Sequence, residues 1–139
     1  MDINQITLIG NLGEDAIVRH TQDNKKVLNF SLATNEKWTN KKTNEVNSQT
    51  EWHKIVVLNE VIIRHCENLL KKGARVYVEG CVKYRQYTDK NGFEKTITEV
   101  IVKNYGHRIE VLYTDRTNKN NTDMQDLQSS DFISEDVPF

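Results

Sequence analysis

The stretch TEWHKIVVL, residues 50–58, interleaves an indole and a lysine with aliphatic side chains. On a strand, side chains alternate between faces. Trp52, Lys54, Val56 and Leu58 then share one face, and Glu51, His53, Ile55 and Val57 share the other. ARVYVEGCVKYRQY (74–87) repeats the theme, with Cys81, Lys83, Arg85 and Tyr87 on one face. A polar stretch sets Trp38 beside Lys37, Lys41 and Lys42. Aromatics mixed with cations suit an unpaired nucleic acid. Its bases expose π-faces that stack on Trp or Tyr, at about 1–3 kcal/mol per base. Its phosphates are neutralised by Lys and Arg, with release of counterions. A duplex hides the base faces, so stacking favours single strands. Each group also has a plainer reading: either Trp as a core or subunit-interface aromatic, Tyr87 as a cross-strand contact, the lysines of 37–42 as solvated loop charges.

Catalytic and metal chemistry find little support. His20, His53, His65 and His107 are scattered, with no HExxH motif and no i,i+4 ligand pair. There is no GxGxxG motif or phosphate loop, and the carboxylates form no grouped set. No cofactor and no enzymatic activity are expected. Cys66 and Cys81 form no CxxC pair and point to neither a disulfide framework nor a zinc site. They are expected to be buried or half-buried thiols in a reducing compartment. For His53, opposite Trp52, a structural or interface role is expected.

The elements that would position these residues are mostly strands. ITLIG (6–10), AIVRH (16–20), VLNFSLAT (27–34), TEWHKIVVL (50–58), ARVYVEGCVKYRQY (74–87), KTITEVIVKN (95–104) and HRIEVL (107–112) are rich in Val, Ile, Thr and Tyr. Gly80 marks an expected bend or bulge, and Asn91-Gly92 an expected hairpin turn. Residues 35–49 are polar and read as a long loop or an extended hairpin arm. From Glu60 to Lys72 the apolar positions Ile62, Ile63, Cys66, Leu69 and Leu70 recur at helical spacing. Asn59 can cap that helix and Gly73 can end it. One helix within about five to seven strands predicts a small α-capped barrel.

The chain has 139 residues, enough for one compact domain. No apolar run is long enough to span a membrane, and MDINQITLIG lacks the basic start and long apolar run of a signal peptide. The net charge of −1 conceals an asymmetry. Residues 1–113 hold 17 basic and 14 acidic side chains, whereas residues 114–139 hold 2 and 6. A mildly basic body thus carries an acidic tail, a pattern of nucleic-acid binders and interaction tails. Residues 114–130 are too poor in apolar groups to offset ordering entropy and are expected to be a disordered linker. The chain closes on ISEDVPF (133–139), which holds the only proline. Pro138 restricts the backbone and lowers the entropy lost on docking. Phe139 supplies a ring for a pocket.

NQITLIGNLGEDAIVRH, LATNEKW, TEWHKIVV, LLKKGARVYVEG and YTDKNG, followed by a polar linker and a tip ending in DVPF, resemble the bacterial single-stranded DNA-binding protein family. The similarity runs in order from residue 3 to about 112 and resumes over the last nine or so. It implies an all-β chain with one helix: a five-stranded OB-fold Greek-key barrel with a disordered acidic C-terminal tail. The OB-fold domain would cover residues 1–113, the linker 114–130 and the partner-binding tip 131–139. It further implies a homotetramer wrapped by single-stranded DNA in the bacterial cytoplasm, associated with the nucleoid. Trp38, Trp52 and Tyr87 match the family's base-stacking positions. Arg19, Lys54, Lys71, Lys72, Lys83 and Arg85 match basic contact positions. His53 matches a position implicated in subunit association. The tip, through Asp131, Phe132, Glu135, Asp136, Val137, Pro138 and Phe139, matches the peptide that recruits replication, repair and recombination proteins.

Three positions depart from that pattern. Leu58 stands where a stacking phenylalanine is common, leaving a weaker DNA-binding platform. Glu60 stands near a position that is often basic, where it would repel phosphate. The tip has fewer acids before Val-Pro-Phe than is usual. Two alternatives remain at this level: an OB-fold adaptor of the primosome type, which chiefly docks proteins, and an OB-fold RNA binder. An adaptor has no need of paired Trp38 and Trp52 with Lys83, Arg85 and Tyr87, and competition between oligo-dT and oligo-U tests the RNA reading.

Overall fold

The computed structural model describes residues 1–104 and 106–114. Beyond Thr114, the expected linker and the tip residues Asp131, Phe132, Glu135, Asp136, Val137, Pro138 and Phe139 lie outside the described residues. In chain order the elements are β1 (Ile6–Leu12), β2 (Ile17–His20), β3 (Lys26–Thr39), β4 (Val46–Val57), α1 (Glu60–Cys66), β5 (Arg75–Thr88), β6 (Glu94–Val102) and β7 (Arg108–Tyr113).

Period-two patterning drives the assembly. Leu28, Phe30 and Leu32 of β3, Ile55 and Val57 of β4, Val76 and Val78 of β5, and Val100 and Val102 of β6 are all buried. Alternate residues of each strand therefore line one core, to which α1 and the turns after it add Ile63, Cys66 and Leu70. The hydrogen-bonded order β1-β3-β4-β6-β5 closes on itself because β5 also pairs with β1. That ring is the expected five-stranded barrel of the OB-fold. It is antiparallel except between β4 and β6. The two remaining strands lean on it, β2 against β3 and β7 against β5. Closure removes most of the exposed edges that an open sheet would carry.

Four local outcomes refine the sequence reading. First, residues 35–49 form the hairpin arm and not the loop. β3 and β4 stay paired from Leu28↔Val57 out to Thr39↔Val46. Asn44 at φ 59 turns the chain, and Asn40 N donates to Glu45 O at 2.8 Å.

Second, the helix ends at Cys66, short of Lys72. Asn59 caps its start as expected, its side-chain oxygen accepting from Val61 N and Ile62 N at 2.9 and 3.1 Å. Tertiary bonds then claim the following backbone. Leu70 O accepts from Ala16 N, Lys72 N donates to Asp15 Oδ1, and Gly73 N donates to Leu12 O. Gly73, at φ 89, steers the chain into β5 and does not cap the helix.

Third, Gly80 carries no bulge; the irregular register of β5 against β7 falls at Arg75/Val76. Gly80 sits where β5 passes from β7 to β6, and a Cβ there would lie 2.5 Å from the Ile101 carbonyl oxygen. Fourth, the β5–β6 hairpin forms, but with a loop over 89–93. Gly92 alone takes a positive φ, and Asp89 Oδ1 accepts from Asn91 N and Phe93 N at 2.9 Å each.

Candidate nucleic-acid interface

Strand register carries the outward-facing residues of β2, β3, β4, β6 and β5 onto one continuous surface, since directly opposed residues share a face. Arg19 of β2 opposes Val27 of β3, and Ser31 and Ala33 of β3 oppose Lys54 and Trp52 of β4. Val56 of β4 meets Ile101 of β6, which opposes Cys81 of β5; here the face is shared by register but covered, Ile101 being buried and Val56 and Cys81 half-buried. From there Glu99↔Lys83, Ile97↔Arg85 and Lys95↔Tyr87 extend the surface along the β5–β6 arm. Arg19, Lys54, Trp52, Lys83, Arg85 and Tyr87 thus occupy one side of the sheet, as the period-two reading requires. All six are exposed, Trp52 to 59%.

The six-membered ring of Trp52 rests on the loop after β1. A Cβ on residue 13 would come within 2.7 Å of ring carbons Cζ3 and Cη2, so Gly13 leaves the space the indole occupies. The same loop, through Asp15 Oδ1, holds the backbone N–H of Lys72 at 2.8 Å. Lys71 and Lys72, both exposed, are thereby anchored to the loop that seats Trp52. Leu58 follows β4 directly. Its N–H donates to Val102 O at 2.8 Å and its side chain is exposed.

Trp38 lies elsewhere. It opposes Asn47, and its position on β3 has the parity of Leu32, the partner of His53. The register therefore places Trp38 and Trp52 on opposite faces of the β3–β4 hairpin. Trp38 is 45% exposed on the arm beyond the barrel, so the core reading fails for both indoles. Lys37, by contrast, shares the Trp52 face. His53 is half-buried, with Nε2 2.9 Å from Thr34 Oγ1.

The cations differ in how free they are. Arg85 is engaged by Glu99: Nε donates to Oε1 at 3.2 Å and Nη2 to Oε2 at 3.1 Å. This holds the Arg85 pKa above its ordinary value, first through the hydrogen bond to Glu99 and next through its charge, with a smaller contribution from Tyr87. Glu60, which the family pattern marks as a source of repulsion, serves the fold locally, and its Oε1 accepts from Lys26 N at 3.3 Å.

Sequence reasoning overlooked three features. Gly13 carries no signal, because a glycine does not announce what rests on it. Glu99 shares the parity of Ile97 and Ile101, but its partner becomes visible only with the β5–β6 register. Arg108 stacks over the Tyr77 ring at 5.0 Å, with Nε 2.7 Å from Glu79 Oε1, on the outer side of β5 and β7. Among the described residues no group of His, Cys, Asp and Glu is arranged to hold a metal ion. No helix among them is long and apolar enough to cross a membrane.

The model of the single-strand binding protein family matches residues 3–108. A single-stranded DNA-binding protein of Rickettsia conorii is 37% identical over 121 residues, covering 87% of this chain and 80% of that protein. The protein of the same name from Rickettsia typhi is 39% identical over 119 residues, covering 86% and 77%. The one from Rhizobium meliloti is 36% identical over 110 residues, covering 79% and 63%. Among solved structures, a Plasmodium falciparum SSB complex with ssDNA superposes with a TM-score of 0.72 at 38% identity, covering 81% of this chain and 96% of that one.

Proposed function

The chain belongs to the single-strand binding protein family, and on that premise we propose that it binds and protects single-stranded DNA without regard to sequence during replication, recombination and repair. The observation that carries this reading is the shared outer face of β2–β3–β4–β6–β5, where exposed Trp52 and Tyr87 stand among Arg19, Lys54, Lys83 and Arg85. Bases stack on the rings and phosphates follow the cations. Trp38 on the arm, Leu58 beside β4, and Lys71 and Lys72 behind the Gly13 loop extend the strand's path. Binding is the whole activity, with no catalytic step and no cofactor.

The assembly and its partners complete the proposal. The protein works as a cytoplasmic homotetramer, with His53 close to a subunit contact. The chain divides into an OB-fold domain (1–113), a linker (114–130) and a docking tip (131–139). Asp131, Glu135 and Asp136 meet a basic rim on partner enzymes, while Phe132, Val137, Pro138 and Phe139 fill an apolar pocket. Tip composition and the family's habits support this reading.

Titrating oligo-dT while following tryptophan emission tests the central claim. Quenching is expected, with affinity falling as salt rises. Equal affinity for duplex and single strand overturns it, and oligo-U competing on equal terms moves the assignment to RNA. Light scattering reads the tetramer. Removing residues 131–139 is expected to abolish capture of partner enzymes while leaving oligo-dT binding intact or slightly tighter at low salt; retained capture rules out the docking role.

A further inference from the structure

The Arg85–Glu99 pair stands on the β5–β6 arm of the cationic surface, with Arg85 between Lys83 and Tyr87 along β5. Glu99 is the deeper partner, its side chain 12% exposed against 53% for Arg85. The guanidinium is pinned to the carboxylate at two points and stays about half exposed. Bidentate Arg–carboxylate pairing adds geometric definition that a lone ammonium–carboxylate contact lacks. Glu99 is also the direct cross-strand partner of Lys83. One acid thus stands against two of the cations assigned to phosphate on this arm. Ile97 and Ile101, its neighbours of the same parity on β6, offer no charge of their own.

We propose that Glu99 is a built-in counter-anion of the single-strand site: it occupies Arg85 until a DNA phosphate takes its place, and so sets how strongly binding depends on salt. This inference rests on the single-strand reading above. A phosphate reaching a free surface lysine displaces mobile counterions, and their release strengthens binding at low salt. A phosphate reaching Arg85 must instead displace a tethered carboxylate, which releases nothing to bulk. Arg85 therefore adds contact geometry and a flat cationic platform, but little counterion release. Glu99 also screens the Lys83–Arg85 pair from adventitious anions, so that a strand, with several phosphates and stacked bases together, competes best for it.

The test is oligo-dT titration of the full-length protein across a salt series, in wild type, Glu99→Gln and Arg85→Lys, with thermal melts to verify folding. Glu99→Gln keeps an acceptor near Arg85 but removes the charge. It is expected to bind more tightly at low salt, with the log K against log salt slope steeper by about 0.7, the value for one more phosphate contact on a single strand. Over roughly 50 to 200 mM salt, the fold loss in affinity then grows by about 2.5-fold. Arg85→Lys keeps a cation beside the Glu99 carboxylate and is expected to hold the slope near that of wild type. A merely structural Glu99 would change the melting temperature and leave the slope alone. An unchanged slope in Glu99→Gln overturns the proposal while leaving single-strand binding standing. Absence of oligo-dT binding by the wild type overturns both readings.

Discussion

The Trp52 indole lies against Gly13, with Cζ3 and Cη2 where a Cβ of residue 13 would be only 2.7 Å away. The backbone of the β1–β2 loop thus sets one boundary of an exposed ring. Gly13→Ala is expected to push the ring outward, because the far end of an exposed side chain yields more readily than backbone. Stability should change little, whereas single-strand affinity should fall by about 1 kcal/mol as the stacking platform tilts. Paired thermal melts and oligo-dT titrations check this; a large loss of melting temperature with unchanged affinity contradicts it.

Trp38 and Trp52 belong to opposite faces of one hairpin. Trp52→Ala and Trp38→Ala are each expected to weaken oligo-dT binding by about 1–3 kcal/mol. Because the two rings do not share a face, their effects should add in the double variant within about 0.5 kcal/mol. Strong non-additivity would mean that both rings clamp the same base. Fluorescence of each single variant assigns the quenching to its remaining indole.

Gly10 of β1 faces the Ala33 carbonyl so closely that any Cβ would overlap it. The obstacle is backbone within the β1–β3 pairing, where Asn11 opposes Ala33. Gly10→Ala is expected to destabilise the barrel by about 1–3 kcal/mol, as overpacking does in a tight core. Urea midpoints of wild type and variant measure it. Gly13→Ala makes the same chemical change, but there the added methyl meets a mobile ring and here it meets backbone.

Cys66 packs in the core, and burial pushes its thiol pKa from the ordinary 9.0 up to about 11, with the charge of Glu67 adding to the rise. The folded state therefore keeps this proton at pH values where the unfolded state has lost it. Stability from this group is fully present below pH 9 and is lost as pH rises toward 11. Unfolding free energies of wild type and Cys66→Ala across that window should converge with rising pH. Alkylating reagents should modify Cys81, which is half-buried, before Cys66.

The recognisable parts of this protein are those governed by local periodicity. Leu28, Phe30 and Leu32 mark the inner face of β3 by alternation alone, and Trp52 and Lys54 mark the outer face of β4 in the same way. Asn59 advertises a helix start because a capping side chain acts on residues two and three positions ahead. The helix end is different. Leu69 and Leu70 continue the apolar spacing, and their N–H groups still bond back to Cys66 O, yet Leu70 O, Lys72 N and Gly73 N bond to Ala16, Asp15 and Leu12, residues that no local pattern connects to them. Polar composition likewise makes 35–49 resemble a loop, although pairing extends to Thr39↔Val46.

By itself the sequence determined which side chains share a face within each strand, where the barrel body gives way to an acidic segment, and, through motifs kept in order, the family. Alternation and charge are properties of neighbouring residues and survive without a fold. Only the tertiary structure decided that the outer faces of five strands join into one surface, that Trp38 faces away from Trp52, that Gly13 seats an indole and that Glu99 holds Arg85. Each of these depends on inter-strand register, which is set when the barrel closes and brings residues distant in the chain within a few ångströms.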